Sequence, residues 1–181
     1  MQDSIRLFVA ATLPPSLKQE LQEQLLSFQH PAVRVVPEQN MHLTLFFIGN
    51  VPPEQLPAIR QAIQEVAQRH PPFVLDFVRT EPGPKPRHPR LVWARFEEHE
   101  AFGALSRDLT QALAAEPPKQ QKAIPHITLA RFRKDKPAPD SLPTVSSEEP
   151  LKLPVQDIAL WQSELASPHP VYTVVETFRL K

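Results

Sequence analysis

Two histidines are each followed, two residues on, by a threonine, in a tetrad that occurs twice: His42-Leu43-Thr44-Leu45 and His126-Ile127-Thr128-Leu129, 84 residues apart. Imidazole titrates near neutrality and can give or take a proton. A threonine hydroxyl can donate to an anionic oxygen. Both tetrads sit in short apolar runs that read as buried strands, where residues i and i+2 share a face. Each copy then sets an imidazole beside a hydroxyl, with aliphatic side chains packing the other face. Two such strands at one cleft would supply two titrating groups and two hydroxyl donors, an apparatus for general acid–base chemistry on a phosphate. From the chain's own counts of the residue types, one tetrad is expected by chance roughly 0.02 times and two on the order of once in ten thousand shuffles. Chance does not account for the pair.

Arg131 follows the second tetrad and could add a charge-assisted contact to a phosphate, bidentate if well placed. In a flat strand it lies on the face opposite His126, because the separation is odd. It reaches the cleft only if the strand ends, twists or bulges there. The first copy carries Phe47 at the equivalent place, so the two halves are not chemically equivalent.

The elements that must hold these residues follow from periodicity. Strands are expected over 5–13, 33–36, 41–49, 73–80, 90–96, 123–132, 155–162 and 171–178. Helices are expected over 14–29, 53–70 and 98–115, with Leu17, Leu21 and Leu25, then Ile59, Ile63 and Val66, then Phe102, Leu105 and Leu109 at helical spacing. Residues 81–89 and 134–150 are rich in proline and read as loops. The 84-residue offset extends beyond the tetrads: Arg6-Leu7-Phe8-Val9-Ala10 aligns with Arg90-Leu91-Val92-Trp93-Ala94. A strand, helix, His-strand unit thus occurs twice, which argues for an internal duplication and a pseudo-two-fold site.

Composition narrows the classes. At 181 residues with 41% hydrophobic and 22% charged content, the chain fits one globular domain, 1–181. Net charge is zero, so any polyanion must be held locally rather than by a global basic field. Cysteine is absent, which removes disulfides, thiolate metal sites and thiol nucleophiles. Only three glycines occur, and no glycine-rich phosphate loop can be written. No HExxH or HxD pattern is present, so neither a metal nor another cofactor is expected. The apolar run 5–13 is interrupted by Arg6 and too short to span a membrane, so a cytoplasmic protein without membrane contact is expected.

At these residues the sequence resembles the 2H phosphoesterase superfamily, and within it the RNA 2′,3′-cyclic phosphodiesterases, also called 2′-5′ RNA ligases (the LigT/ThpR group). The likeness rests on the two His-x-Thr tetrads and on flanking blocks: Arg6 to Ala10, Asn40 to Gly49, Pro89 to Ala94, Pro125 to Arg131, Leu160 to Leu165 and Pro170 to Val174. It implies an α+β fold, bilobal, with two pseudo-symmetric lobes of antiparallel sheet and outer helices around a central cleft. It implies metal-independent hydrolysis of RNA 2′,3′-cyclic phosphate ends to 2′-phosphates, and a reverse, ATP-independent ligation that forms a 2′-5′ linkage. His42 and His126 match the family's catalytic histidines; Thr44, Thr128 and Arg131 match its phosphate-contacting positions. By likeness His126 is the base that activates water and His42 the acid, roles that reversal exchanges. The implied partner is RNA with a cyclic phosphate end, such as a tRNA fragment or short oligonucleotide, bound by a monomer. Two other readings stand beside this one: a phosphodiesterase for small cyclic phosphates of nucleotide or ADP-ribose type, and a non-catalytic module that binds RNA ends.

Overall fold

The computed structural model describes residues 3–85, 87–118 and 123–181; Pro86, inside the expected 81–89 loop, lies outside them. Among the described residues the strands are β1 (Ile5–Ala11), β2 (Val33–Val35), β3 (Leu43–Val51), β4 (Phe73–Gly83), β5 (Leu91–Phe96), β6 (His126–Phe132), β7 (Lys152–Val155), β8 (Asp157–Glu164) and β9 (Val171–Arg179). The helices are α1 (Pro15–Leu25), α2 (Leu56–Ala67) and α3 (Glu100–Leu113). Every strand pairing is antiparallel, in the order β7-β4-β5-β6-β3-β1-β8-β9, with β2 added to β6. The fold is therefore α+β, a curled antiparallel sheet with few helices.

The middle of the sheet is a narrow seam. β3 and β6 meet in register only at Leu43 and Ile127, positions 84 apart in sequence. On one side β3 pairs with β1, and on the other β6 pairs with β5. The sequence offset slips by one residue on these outer partners, since Ala10 faces Thr44 whereas Trp93 faces Thr128. A one-residue slip exchanges the two faces of a strand. Trp93 thereby leaves the core side that the alignment with Val9 would give it.

Each helix forms where its apolar face can be buried. Pro14 and Pro15 open α1, where missing N–H groups remove no helical hydrogen bond. Its Leu17, Leu21 and Leu25 are buried, as are Ile59, Ile63 and Val66 of α2 and Phe102, Leu105 and Leu109 of α3. In α3 the His99 Nδ1 accepts from the Ala101 N–H at 3.1 Å and caps the helix. The helices reach across the seam. Thr80 Oγ1 of β4 donates to Gln24 Oε1 of α1, while Ser106 Oγ of α3 donates to the Leu45 carbonyl of β3 at 2.9 Å. All three helices pack into one core with the inner side of the sheet, Leu7, Val9, Leu43, Val92, Ile127 and Leu160 among it. Phe8, Ala10, Ala159 and Trp161 form a separate small cluster. Alternation along β1 and β8 places it on the opposite, cleft-facing side.

Three expectations need correction. The strand expected at 73–80 runs on to Gly83, because β5 pairs with it through Gly83↔Leu91 despite the prolines. The strand expected at 155–162 is β8, which pairs with β1, and it is preceded by a separate, unexpected strand, β7, which pairs with β4 on the opposite half of the sheet. His42 stands immediately before β3 rather than within it.

Candidate active site

All five expected site residues, His42, Thr44, His126, Thr128 and Arg131, line one cavity of about 270 Å³. How Arg131 arrives there is a matter of register. In β6 the pairing with β5 passes from Val92↔Ala130 to Trp93↔Thr128 and skips Leu129. In β3 the pairing with β1 passes from Val9↔Phe46 to Ala10↔Thr44 and skips Leu45, the equivalent residue. A bulge adds one residue to one strand and shifts the alternation after it. His126, Thr128 and Arg131 therefore share the cleft face, as do His42, Thr44 and Phe47. A bulged residue leaves ladder groups unpaired, and buried carbonyls need a donor. The Leu129 carbonyl accepts from the Val36 N–H at 2.8 Å, and the Leu45 carbonyl accepts from Ser106. β3 carries a further register shift at Ile48, next to Gly49, whose φ of 91° lies where glycine is the favoured residue.

The two imidazoles are held alike. His42 Nδ1 is 2.6 Å from the Asn40 carbonyl, and His126 Nδ1 is 2.7 Å from the Ile124 carbonyl. A carbonyl only accepts, so each Nδ1 carries the proton and each Nε2 is left for chemistry. The His42 ring stands 4.9 Å from Phe8, 5.6 Å from Tyr172 and 5.8 Å from Trp161, centroid to centroid. The His126 ring stands 4.9 Å from Trp93. These aromatic walls withhold water from the charged imidazolium. Burial pushes the His42 pKa down to about 4, against the opposing pull of the Asn40 carbonyl and with Arg131 and His126 adding repulsion. The His126 pKa is lowered too, by burial first, against the Ile124 carbonyl and with help from Arg131. No carboxylate lines the cavity, so nothing there offsets the cations. Among the described residues no three His, Asp or Glu side chains converge as metal ligands would.

Asn40 carries no chemical signature in the sequence, yet it ties the site together. It is buried, and its Nδ2 donates to the Pro170 carbonyl at 2.9 Å. One residue thus fixes the His42 ring through its backbone and the 165–170 loop, which borders the cavity, through its side chain. The aromatic residues Phe8, Trp93 and Trp161 are buried against the histidines, while Phe46 and Phe132 pack on the core. Phe47 is instead half-exposed at the cavity, with the Arg6 guanidinium 4.9 Å from its ring centroid. Its exposed face is a surface a nucleobase can stack on. The basic residues Arg87, His88 and Arg90 line a different groove of about 590 Å³, which shares no residue with the cavity.

Gly83 supports His126 at one remove. A Cβ there would stand 2.5 Å from Trp93 Nε1, inside contact distance of the ring that backs His126. Gly83→Ala should lower stability by about 1–3 kcal/mol through overpacking and displace the indole. Chemical denaturation reads this; an unchanged midpoint would mean that the Trp93 ring has room to give way.

Two carbonyl-oriented imidazoles, two hydroxyls and a guanidinium thus converge on one cavity with no carboxylate in its lining. The model of the 2′-5′ RNA ligase superfamily matches residues 13–166, and the chain belongs to that superfamily, as its sequence resemblance implies. Over 98% of this chain and 91% of the relative, it is 35% identical to an RNA 2′,3′-cyclic phosphodiesterase of Thermus thermophilus. A solved structure from Thermus thermophilus superposes with a TM-score of 0.85 at 35% identity, covering 97% of each chain. Escherichia coli LigT, solved in complex with 3′-AMP, superposes with a TM-score of 0.76 at 27% identity over 98% of each chain.

Proposed function

We propose that this protein hydrolyses RNA 2′,3′-cyclic phosphate ends to 2′-phosphates by a two-histidine mechanism. The observation that carries this reading is the paired orientation of the histidines, each Nδ1 spent on a backbone carbonyl and both rings lining one acid-free cavity. The neutral His126 Nε2 takes a proton from water as its oxygen attacks phosphorus. The bond from phosphorus to the 3′ oxygen breaks, and the His42 imidazolium supplies the proton that oxygen needs. Thr44, Thr128 and Arg131 hold the non-bridging oxygens as charge builds. A 5′-hydroxyl in place of water would give a 2′-5′ linkage, with the strained cyclic ester rather than ATP as the energy source. The relatives' activity and the 3′-AMP held by LigT support a nucleotide substrate. The cavity is complete within one chain, which supports a monomer, and no helix among the described residues is long and apolar enough to cross a membrane. The same reading takes 1–181 as one domain with an internal repeat, supported by the Leu43↔Ile127 seam.

The test is an assay in EDTA on a short RNA ending in a 2′,3′-cyclic phosphate, with product ends analysed across pH. A 2′-phosphate product is expected; tight binding without turnover would favour an end-binding module. Opening of small cyclic nucleotides alone would favour the small-substrate reading. The pH profile has a definite sign. kcat/KM reports the free protein, in which both imidazoles lose their protons below the ordinary range. The profile should be a bell whose alkaline limb sets in below about pH 6.5, the unperturbed imidazole value. The kcat profile should lie at higher pH, because a bound phosphate anion favours imidazolium. A kcat/KM that holds its plateau through pH 8 would remove the histidines from proton transfer.

A further inference from the structure

The cleft continues past Arg131 into a second cavity of about 140 Å³. The two cavities share His42, Thr128, Arg131, Pro170 and Tyr172, and the second adds Arg34 and His169. Arg34 on β2 is the registered partner of Arg131 on β6. Residues directly opposite on antiparallel strands have Cβ atoms about 5 Å apart on one face, and like charges so placed repel. Neither arginine has an ion-pair or hydrogen-bond partner among the described residues, and no carboxylate lines either cavity. Two facing cations with no counter-charge, in a chain whose net charge is zero, mark a place built for an anion from outside. At about 30 Å³ per water, a cavity of about 140 Å³ has room for a phosphate group. A cyclic phosphate seated between the histidines engages Arg131, which leaves Arg34 one step further along the cleft.

We propose that Arg34 binds the phosphodiester next to the cyclic phosphate, so that the protein selects RNA chains of two or more nucleotides over 2′,3′-cyclic mononucleotides. This rests on the cyclic phosphodiesterase reading and names its substrate class. Arg34 is a specificity residue that touches no reacting atom. His169, on the 165–170 loop beside it, can add a second donor.

The experiment compares kcat and KM of the wild type, Arg34→Gln and Arg34→Lys on a 2′,3′-cyclic mononucleotide and on a dinucleotide ending in the same cyclic phosphate, each at several salt concentrations. Arg34→Gln should raise KM for the dinucleotide by roughly tenfold to a hundredfold, the scale of a lost hydrogen bond to a charged group. It should leave kcat and the mononucleotide kinetics unchanged, and flatten the salt dependence of the dinucleotide KM by about one charge. Arg34→Lys should fall between. Equal losses on both substrates would place Arg34 on the scissile phosphate and overturn the proposal, as would a dinucleotide KM that does not move. Normal mononucleotide turnover by the variant shows that it is folded. A wild type that opens neither substrate would instead sink the underlying phosphodiesterase reading.

Discussion

His42→Ala and His126→Ala should each lower turnover on a cyclic phosphate RNA end by roughly a hundredfold to ten-thousandfold, the usual worth of a positioned proton-transfer group. Binding should survive, because neither ring is a main anion anchor in the proposed site. The two rings act in one transition state, so the double variant should lose little more than the worse single variant. The assay is single-turnover cleavage in EDTA, with folding checked by circular dichroism. His→Asn is the sharper variant, since it keeps a donor near the position of Nδ1 and cannot relay a proton at neutral pH. A normal rate in either variant would take that histidine out of the mechanism. Full multiplication of the two losses would show that they serve separate steps.

Arg131→Gln should cost about a hundredfold to a thousandfold in kcat, the scale of a charged or preorganised donor aimed at developing negative charge. Arg131→Lys should recover only part of this, because an ammonium cannot reproduce a planar two-pronged contact. Thr44→Ala and Thr128→Ala each delete one neutral donor and should cost roughly tenfold. Arg131 also repels protons from both histidines. Its removal should therefore move the alkaline limb of kcat/KM to higher pH, a shift that loss of binding alone would not produce. A threonine variant as inactive as Arg131→Gln would reverse this ranking.

Much of the architecture was legible because it is written in periodicity. The buried faces of α1, α2 and α3 follow Leu17, Leu21 and Leu25, Ile59, Ile63 and Val66, and Phe102, Leu105 and Leu109 as the spacing requires. The tetrads reach one cavity because the i and i+2 rule acts within three residues. What was hidden depends on partners. The bulges at Leu45 and Leu129 exist only relative to β1 and β5, and they decide which way Phe47 and Arg131 face. The division of 152–164 into two strands depends on β4 and β1 drawing neighbouring segments to opposite halves of the sheet. Asn40 looks like any polar residue before a strand until its two hydrogen bonds are seen together.

The place of β1 bears on how the chain is made. It lies between β3 and β8, so its second neighbour, Asp157–Glu164, is synthesised long after it. Pairs such as Phe8↔Trp161 close loops across most of the sequence, and contacts of that separation slow folding. Until β8 emerges from the ribosome, one edge of the apolar strand Leu7-Phe8-Val9-Ala10 has no ladder partner from β8. An open hydrophobic edge can pair with another nascent chain. The wall behind His42 shares this history, since Phe8 comes from the first strand while Trp161 and Tyr172 come from the last two. A chain released before β8 would carry both tetrads and still lack Trp161 and Tyr172 of that wall, so it should aggregate rather than show partial activity.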